Sequence, residues 1–317
     1  MKKLLILLFA AFLLAGCSND NDTENTKNKE TLTIYTTVFP LQYFAERIAG
    51  EHADVSSIYP PGADEHTFEP SQKDMIALAE SDLFFYIGMG LEGFVDKAKS
   101  TMKGENVRMV AAAKDIHPEE NAEDEHEGHE DENENEHEDG HNHGDVDPHV
   151  WLDPVYAKEL AKSIKDELSK AKPNLKDEFE KNYTELIADL DELDQNFKET
   201  AANAKINKII VSHSAFGYWE SRYGIEQVPI AGMSTSSEPT QKDMEKIIKT
   251  INKYGIRYIL VEQNVSSKLA EAISAETDSE LLKVHNLSTR TDRDIKNKET
   301  YFTLMEKNLK TLEKAMN

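Results

Sequence analysis

The chain has 317 residues, of which 36 are basic and 60 acidic, giving a net charge of −24, and it contains one cysteine. Binding to nucleic acid needs a basic face for phosphate, so that class of function is excluded. A single cysteine allows no intramolecular disulfide, and the fold must be stabilised by a buried core.

The N-terminus has the form of a secretory signal: Lys2 and Lys3 precede an apolar run from Leu4 to Leu14, shorter than the roughly 20 residues that span a bilayer as a helix. The run ends in Leu14-Ala15-Gly16-Cys17, which resembles a bacterial lipobox. The resemblance implies that residues 1–16 are removed and that Cys17 carries lipid, anchoring the protein to the outer face of the cell membrane. Residues 17–30 are polar and read as a flexible tether. With Cys17 acylated, a metal site elsewhere must be built from His, Asp or Glu.

From Leu32 onward, strand and helix signals alternate. Leu32–Thr37, Ala53–Tyr59, Leu83–Ile87 and Val107–Val110 read as strands, with helices over Pro40–Ala49 and from the capping sequence Ser71-x-x-Asp74 to about Glu80. The segment 117–147 interrupts this pattern. Residues 119–147 hold fifteen acids and no Lys or Arg, so more than half of the net charge is local. With His126, His129, His137, His141 and His143, this reads as a disordered, histidine-rich acidic loop.

Helical periodicity resumes at Pro154 and continues to about Ala171. Pro173 opens a second helical stretch to about Ala202, in which Leu186, Leu190 and Leu193 form an apolar stripe. About 28 residues at roughly 1.5 Å each give a rod of roughly 42 Å. Strands follow at Lys208–Ser212, Gln227–Ile230, Tyr258–Glu262 and Leu281–Leu287, with helices at Gln241–Lys253, Ser267–Ala275 and from about Lys298 to Met316. The expected fold is α/β: an N-terminal lobe over 31–172, a single long rigid helix over 173–203 and a C-terminal lobe over 204–317.

Three histidines stand apart from the acidic loop. His66 follows the Pro60-Pro61-Gly62 turn, His149 lies in Asp147-Pro148-His149-Val150-Trp151-Leu152-Asp153-Pro154, and His213 ends the strand KIIVS. Two of them lie beyond strand ends, where open α/β sheets present ligands. Neutral imidazole is a borderline donor suited to zinc. For any one histidine alone, a hydrogen-bonded or solvated side chain is the more ordinary reading.

Taken together the segments PPGADEHTFEPSQKD at 60–74, DPHVWLDP at 147–154 and VSHSAFGYW at 211–219 resemble the metal-specific substrate-binding proteins of ABC importers, in the zinc and manganese branch. Glu238-Pro239-Thr240 and Val261-Glu262-Gln263 are weaker matches, and the resemblance runs from Leu32 to the C-terminal helix. It implies two (β/α) lobes joined by a rigid helix, with a metal ion in the cleft on His66, His149 and His213. It implies a monomer that captures Zn2+ and delivers it to a membrane permease without covalent chemistry. Many manganese members carry Glu at the third position, so His213 favours zinc.

One departure concerns the fourth ligand. The family often supplies a carboxylate from the loop after the last strand, whereas this chain reads Leu287-Ser288-Thr289-Arg290. Glu65, a water, a loop histidine or the displaced Asp292 remain as alternatives. Glu262 reads equally as a ligand or as a residue bonding lobe to lobe, Trp151 and Trp219 as packing, His285 as a structural residue inside a strand, and His52 and His117 as solvated. The alternatives to a zinc carrier are a manganese-binding homologue and a secreted zinc hydrolase, and the HExxH spacing at His137-Glu138-Asp139-Gly140-His141 falls in the loop read as disordered rather than on a helix.

Overall fold

A computed structural model describes residues 31–118, 146–233, 239–263 and 268–317. The signal, Cys17, the tether, the five loop histidines and Glu238 lie outside the described residues.

The N-terminal lobe is built from β1 (Leu32–Thr36), α1 (Phe39–Ala49), β2 (Ala53–Ser57), α2 (Gln72–Ala79), β3 (Leu83–Tyr86), α3 (Val95–Thr101) and β4 (Arg108–Ala111). Its four strands are all parallel, in the order β2-β1-β3-β4. The run Leu83–Tyr86 is buried at every residue, as expected of a strand covered on both faces. Ser71 and Asp74 form a reciprocal capping box that starts α2. Helix α3 has no side-chain cap and only seven residues, so no sequence signal announced it.

Two helices follow. Asp153 caps α4 (Pro154–Ala171), with proline at its first position. A 3₁₀ turn at Pro173–Leu175 precedes α5 (Lys176–Ala202), so the long helix starts three residues later than expected and spans 27 residues, about 40 Å.

The C-terminal lobe comprises β5 (Lys208–His213), α6 (Gly217–Tyr223), β6 (Glu226–Ala231), α7 (Gln241–Tyr254), β7 (Tyr258–Glu262), α8 (Lys268–Thr277), β8 (Glu280–Val284), α9 (Asp292–Lys296) and α10 (Tyr301–Ala315). The sheet is again parallel, in the order β6-β5-β7-β8, and repeats the topology of the first. Helix α7 ends at Gly255, whose φ of 64° closes it in the left-handed conformation that glycine adopts without strain.

Strand β8 is shorter than expected. It stops at Val284 because the chain turns sharply at Leu287, a fully buried residue at φ 59°. A left-handed leucine costs roughly 1–2 kcal/mol, and the turn drives residues 286–289 into the seam between the lobes. His285 is therefore just past the strand, not inside it. Its Nδ1 accepts from Leu287 N at 2.9 Å and its Nε2 reaches Asp294 Oδ2 at 3.3 Å. His52 also departs from expectation: it is half-buried beside Glu178 Oε2 at 3.2 Å, whereas His117 is exposed.

The lobes share one core. A continuous apolar cluster runs from Leu32 to Met316 and takes in Phe179, Leu186, Leu190, Leu193 and Phe197 of α5. A smaller cluster, including Ile210, Ile247, Ile251, Ile259 and Ile273, lies under the outer helices of the C-terminal lobe. The long helix is thus packed along its length, and its apolar stripe is what fixes it. Hydrogen bonds tie the seam. Trp151 Nε1 donates to Asn286 O at 2.7 Å, Trp219 Nε1 to Leu152 O at 2.9 Å, and Tyr301 Oη to Trp151 O at 2.8 Å. Each is worth about 0.5–1.5 kcal/mol net, and more is lost when a buried partner is left unpaired.

Candidate metal centre

In an open parallel sheet, ligands gather where the strand order reverses, beyond the carboxyl ends of the strands. In the C-terminal lobe that point lies between β5 and β7. His213 is the last residue of β5 and Glu262 the last of β7. The corresponding point of the N-terminal lobe is filled by Glu92, whose carboxylate accepts from Thr37 Oγ1 at 2.8 Å, Ile87 N at 2.8 Å and Gly88 N at 3.0 Å. That lobe therefore supplies its side of the centre from two loops: Glu65 and His66 beyond β2, and His149 ahead of α4.

Local turns aim these side chains. Asp64 Oδ1 accepts from His66 N at 2.9 Å, an Asx turn that follows the left-handed Gly62 at φ 75°. Asp147 repeats the device: its Oδ1 accepts from His149 N at 2.9 Å and also takes His149 Nδ1 at 2.7 Å. Gly217 of the other lobe allows this carboxylate to approach, since a Cβ there would stand 2.8 Å from Asp147 Oδ2. His213 Nδ1 lies 2.7 Å from Glu262 Oε1, which also accepts from Ser212 Oγ at 2.7 Å. A carboxylate on Nδ1 fixes the proton there and leaves the Nε2 lone pair outward, the usual arrangement of metal-binding histidine.

The four side chains converge. Glu65, His66, His149 and His213 each offer one ligand atom, and these atoms all lie within 4.8 Å of one another. The ring centroids are 5.2 Å apart for His66 and His149, 5.8 Å for His66 and His213, and 5.2 Å for His149 and His213. Glu65, His149 and His213 are buried and His66 is partly so. Three imidazoles and one carboxylate are the donor set of a four-coordinate zinc ion. The spacing fits as well. His66 Nε2 and His149 Nε2 are 3.3 Å apart, and two nitrogens about 2.0–2.1 Å from one tetrahedral ion stand roughly 3.3 Å from each other. His213 Nε2 is buried and has no hydrogen-bond partner among the described residues. A buried polar atom left so is costly unless something else satisfies it.

The site's electrostatics separate His66 from His213. Burial, reinforced by the neighbouring His149 and His213, lowers the His66 pKa to about 4. His213 is subject to the same desolvation, yet the Glu262 carboxylate more than offsets it and its pKa is raised. Burial also raises Glu65, with the nearby His149 opposing in part.

Two sequence expectations change here. Glu262 does not bond lobe to lobe: it holds His213 within its own lobe. Asp292 lies exposed at the start of α9 and is not in the converging group. Three residues near the centre had no assigned role in the sequence. Asp147 sits two residues before His149, a local signal that could have marked it as the Nδ1 partner. Asn286, far away in the chain, gave no such signal, and Ser288 was marked only as lying where a carboxylate was missing.

Residues 34–315 match the model of the family described as zinc-uptake complex component A, periplasmic. The chain belongs to this family. Among its relatives, zinc-binding lipoprotein AdcA of Streptococcus pneumoniae (strain ATCC BAA-255 / R6) is 34% identical over 317 residues, covering 99% of this chain and 61% of the relative. High-affinity zinc uptake system protein ZnuA of Bacillus subtilis (strain 168) is 34% identical over 314 residues, covering 98% of this chain and 97% of the relative. The structure of the Zn(II)-bound ZnuA-like domain of Streptococcus pneumoniae AdcA superposes with a TM-score of 0.73 at 32% identity, over 90% of this chain and 99% of that one. The chain spans about three fifths of the length of the streptococcal relatives it matches. The two-lobed fold, with its long helix, is that of the zinc-uptake component A family.

Proposed function

We propose that this protein is the extracytoplasmic zinc-binding component of an ABC-type high-affinity uptake system, which captures Zn2+ between its lobes and delivers it to the membrane permease. The observation that carries the reading is the convergence of Glu65, His66, His149 and His213 within 4.8 Å, with the tautomers of His149 and His213 set by Asp147 and Glu262. Glu65 is the fourth ligand in this reading. It supplies the oxygen donor that the segment Leu287-Ser288-Thr289-Arg290 lacks.

A carrier must hold its ion closed off from water, whereas a hydrolase must leave a coordination position and room for substrate. His149 and His213 are 0% exposed and Glu65 is 3% exposed, which supports a carrier. Three nitrogens and one oxygen favour zinc over manganese, which prefers more oxygen ligands in a larger shell. The zinc-binding names of the relatives point the same way. The working limits of the lobes remain 31–172 and 204–317.

Deleting residues 118–146 is expected to leave one tight zinc site and to remove several weaker ones. Calorimetry on the full chain and the deleted chain measures this; disappearance of the tight site with the loop would refute the assignment. The membrane anchor is tested separately. In a cell with a single membrane, Cys17→Ala should release the protein into the medium, and detergent partitioning that still finds it with the membrane would require another anchor.

A further inference from the structure

The Glu65 carboxylate is met from the other lobe by Asn286 and by the Ser288 side chain. Asn286 is 1% exposed. Its Nδ2 donates to Glu65 Oε1 at 3.1 Å, from the other lobe. The orientation of this amide is set by its surroundings. Asn286 Oδ1 faces three donors: Ser288 N at 3.1 Å, Ser288 Oγ at 2.9 Å and Gln263 Nε2 at 3.0 Å. The Ser288 N–H can only donate, so the oxygen must face it and the NH₂ must face Glu65. The left-handed turn at Leu287 brings Asn286 and Ser288 to this place.

We infer that Asn286 is a positioning residue that sets metal selectivity: by occupying Glu65 Oε1 it leaves Glu65 one oxygen for the ion. This rests on the zinc-binding reading above. A carboxylate with one free oxygen binds through that oxygen alone, and with three imidazoles it completes four-coordination, which zinc accepts. Manganese favours a larger shell rich in oxygen. Releasing Oε1 would let Glu65 bind through both oxygens and admit five-coordination. The amide thus costs manganese more than it costs zinc, and selectivity arises as a difference between two affinities. Gln263 directly follows Glu262, the partner of His213, and Trp151, two residues after His149, donates to the Asn286 backbone carbonyl. The same asparagine is therefore joined to the segments carrying all the candidate ligands. The Trp151 bond is to the backbone and survives replacement of the side chain.

The test is competitive titration with Zn2+ and Mn2+, together with the visible spectrum of the Co2+ form, in wild type, Asn286→Ala, Glu65→Ala and the double variant. Wild-type Co2+ protein should show the intense absorption of a four-coordinate site. Asn286→Ala should shift this toward the weaker spectrum of five-coordination, lower zinc affinity by about 10–100-fold, as loss of a ligand's hydrogen-bond partner commonly does, and narrow the zinc-to-manganese ratio. In the Glu65→Ala background, Asn286→Ala should change the ratio no further, because the amide acts through Glu65. Narrowing that persists without Glu65, or an Asn286→Ala spectrum identical to wild type, overturns the inference. Asn286→Leu fills the same volume and replaces the alanine variant should that variant not fold. A wild-type Co2+ spectrum of five- or six-coordination overturns the inference with no variant needed. Absence of tight zinc binding in wild type would refute the function itself, a separate failure.

Discussion

Replacing His213 by alanine is expected to weaken zinc binding by more than about 100-fold, beyond the 10–100-fold typical of losing only a ligand's outer partner. His213 is fully buried and its Nε2 has no other hydrogen-bond partner among the described residues. The substitution also leaves Glu262 with Ser212 Oγ but without its imidazole. A buried polar group deprived of its partner costs about 1–3 kcal/mol, so the metal-free variant should unfold at lower urea as well. Two comparisons separate ligand loss from destabilisation. His52→Ala removes a histidine paired with Glu178, outside the converging group, and should leave affinity near wild type. His126→Ala, in the acidic segment, should do the same for the tight site. Equal affinities in wild type and a folded His213→Ala would strike His213 from the site.

The second large effect is with pH. Zinc and the proton compete for the same Nε2 lone pairs, so affinity must fall as acid is added. His213 and His66 will not respond together. His213, raised by Glu262, accepts a proton at higher pH than an ordinary imidazole, while His66 stays neutral until about pH 4. The sign follows: lowering pH through the His213 value protonates one ligand of the metal-free protein and should weaken binding by about tenfold per pH unit. The fall should steepen further as His66 begins to titrate. Glu262→Gln removes the charge that raises His213, so the onset of weakening should move to lower pH. Zinc titrations across the range in wild type and Glu262→Gln measure both effects. A fall in which the His213 and His66 steps coincide would contradict the staggered order.

Much of the fold was legible from local chemistry. Alternation of short apolar runs with helical stretches gave the strands of both lobes, and Ser71 with Asp74 marked a helix start through side chains that pair with backbone N–H groups. Short helices escaped. α3 has no cap, and α9 has five residues, so its Thr291–Asp294 box was hidden within a segment read as loop. The end of β8 escaped for a different reason: a leucine in the left-handed region is imposed by tertiary packing and leaves no trace in composition.

The candidate site divides in the same way. His66, His149 and His213 were singled out by motif, and the structure brings them together. Their partners depend on which strands and loops meet. Glu262 could be placed at a strand end, but only the β5–β7 pairing sets it beside His213. Asn286 meets Glu65 across 221 residues of sequence. No local pattern carries such a contact.

In the proposed function, three imidazoles and one carboxylate hold a single zinc ion between the lobes. X-ray absorption at the zinc edge, on the chain lacking residues 118–146 and loaded with one equivalent, tests it most directly. The expected result is a four-coordinate shell with three imidazole nitrogens and one oxygen, all at about 2.0–2.2 Å. An oxygen-dominated shell of six ligands, or fewer than three imidazoles, would contradict it.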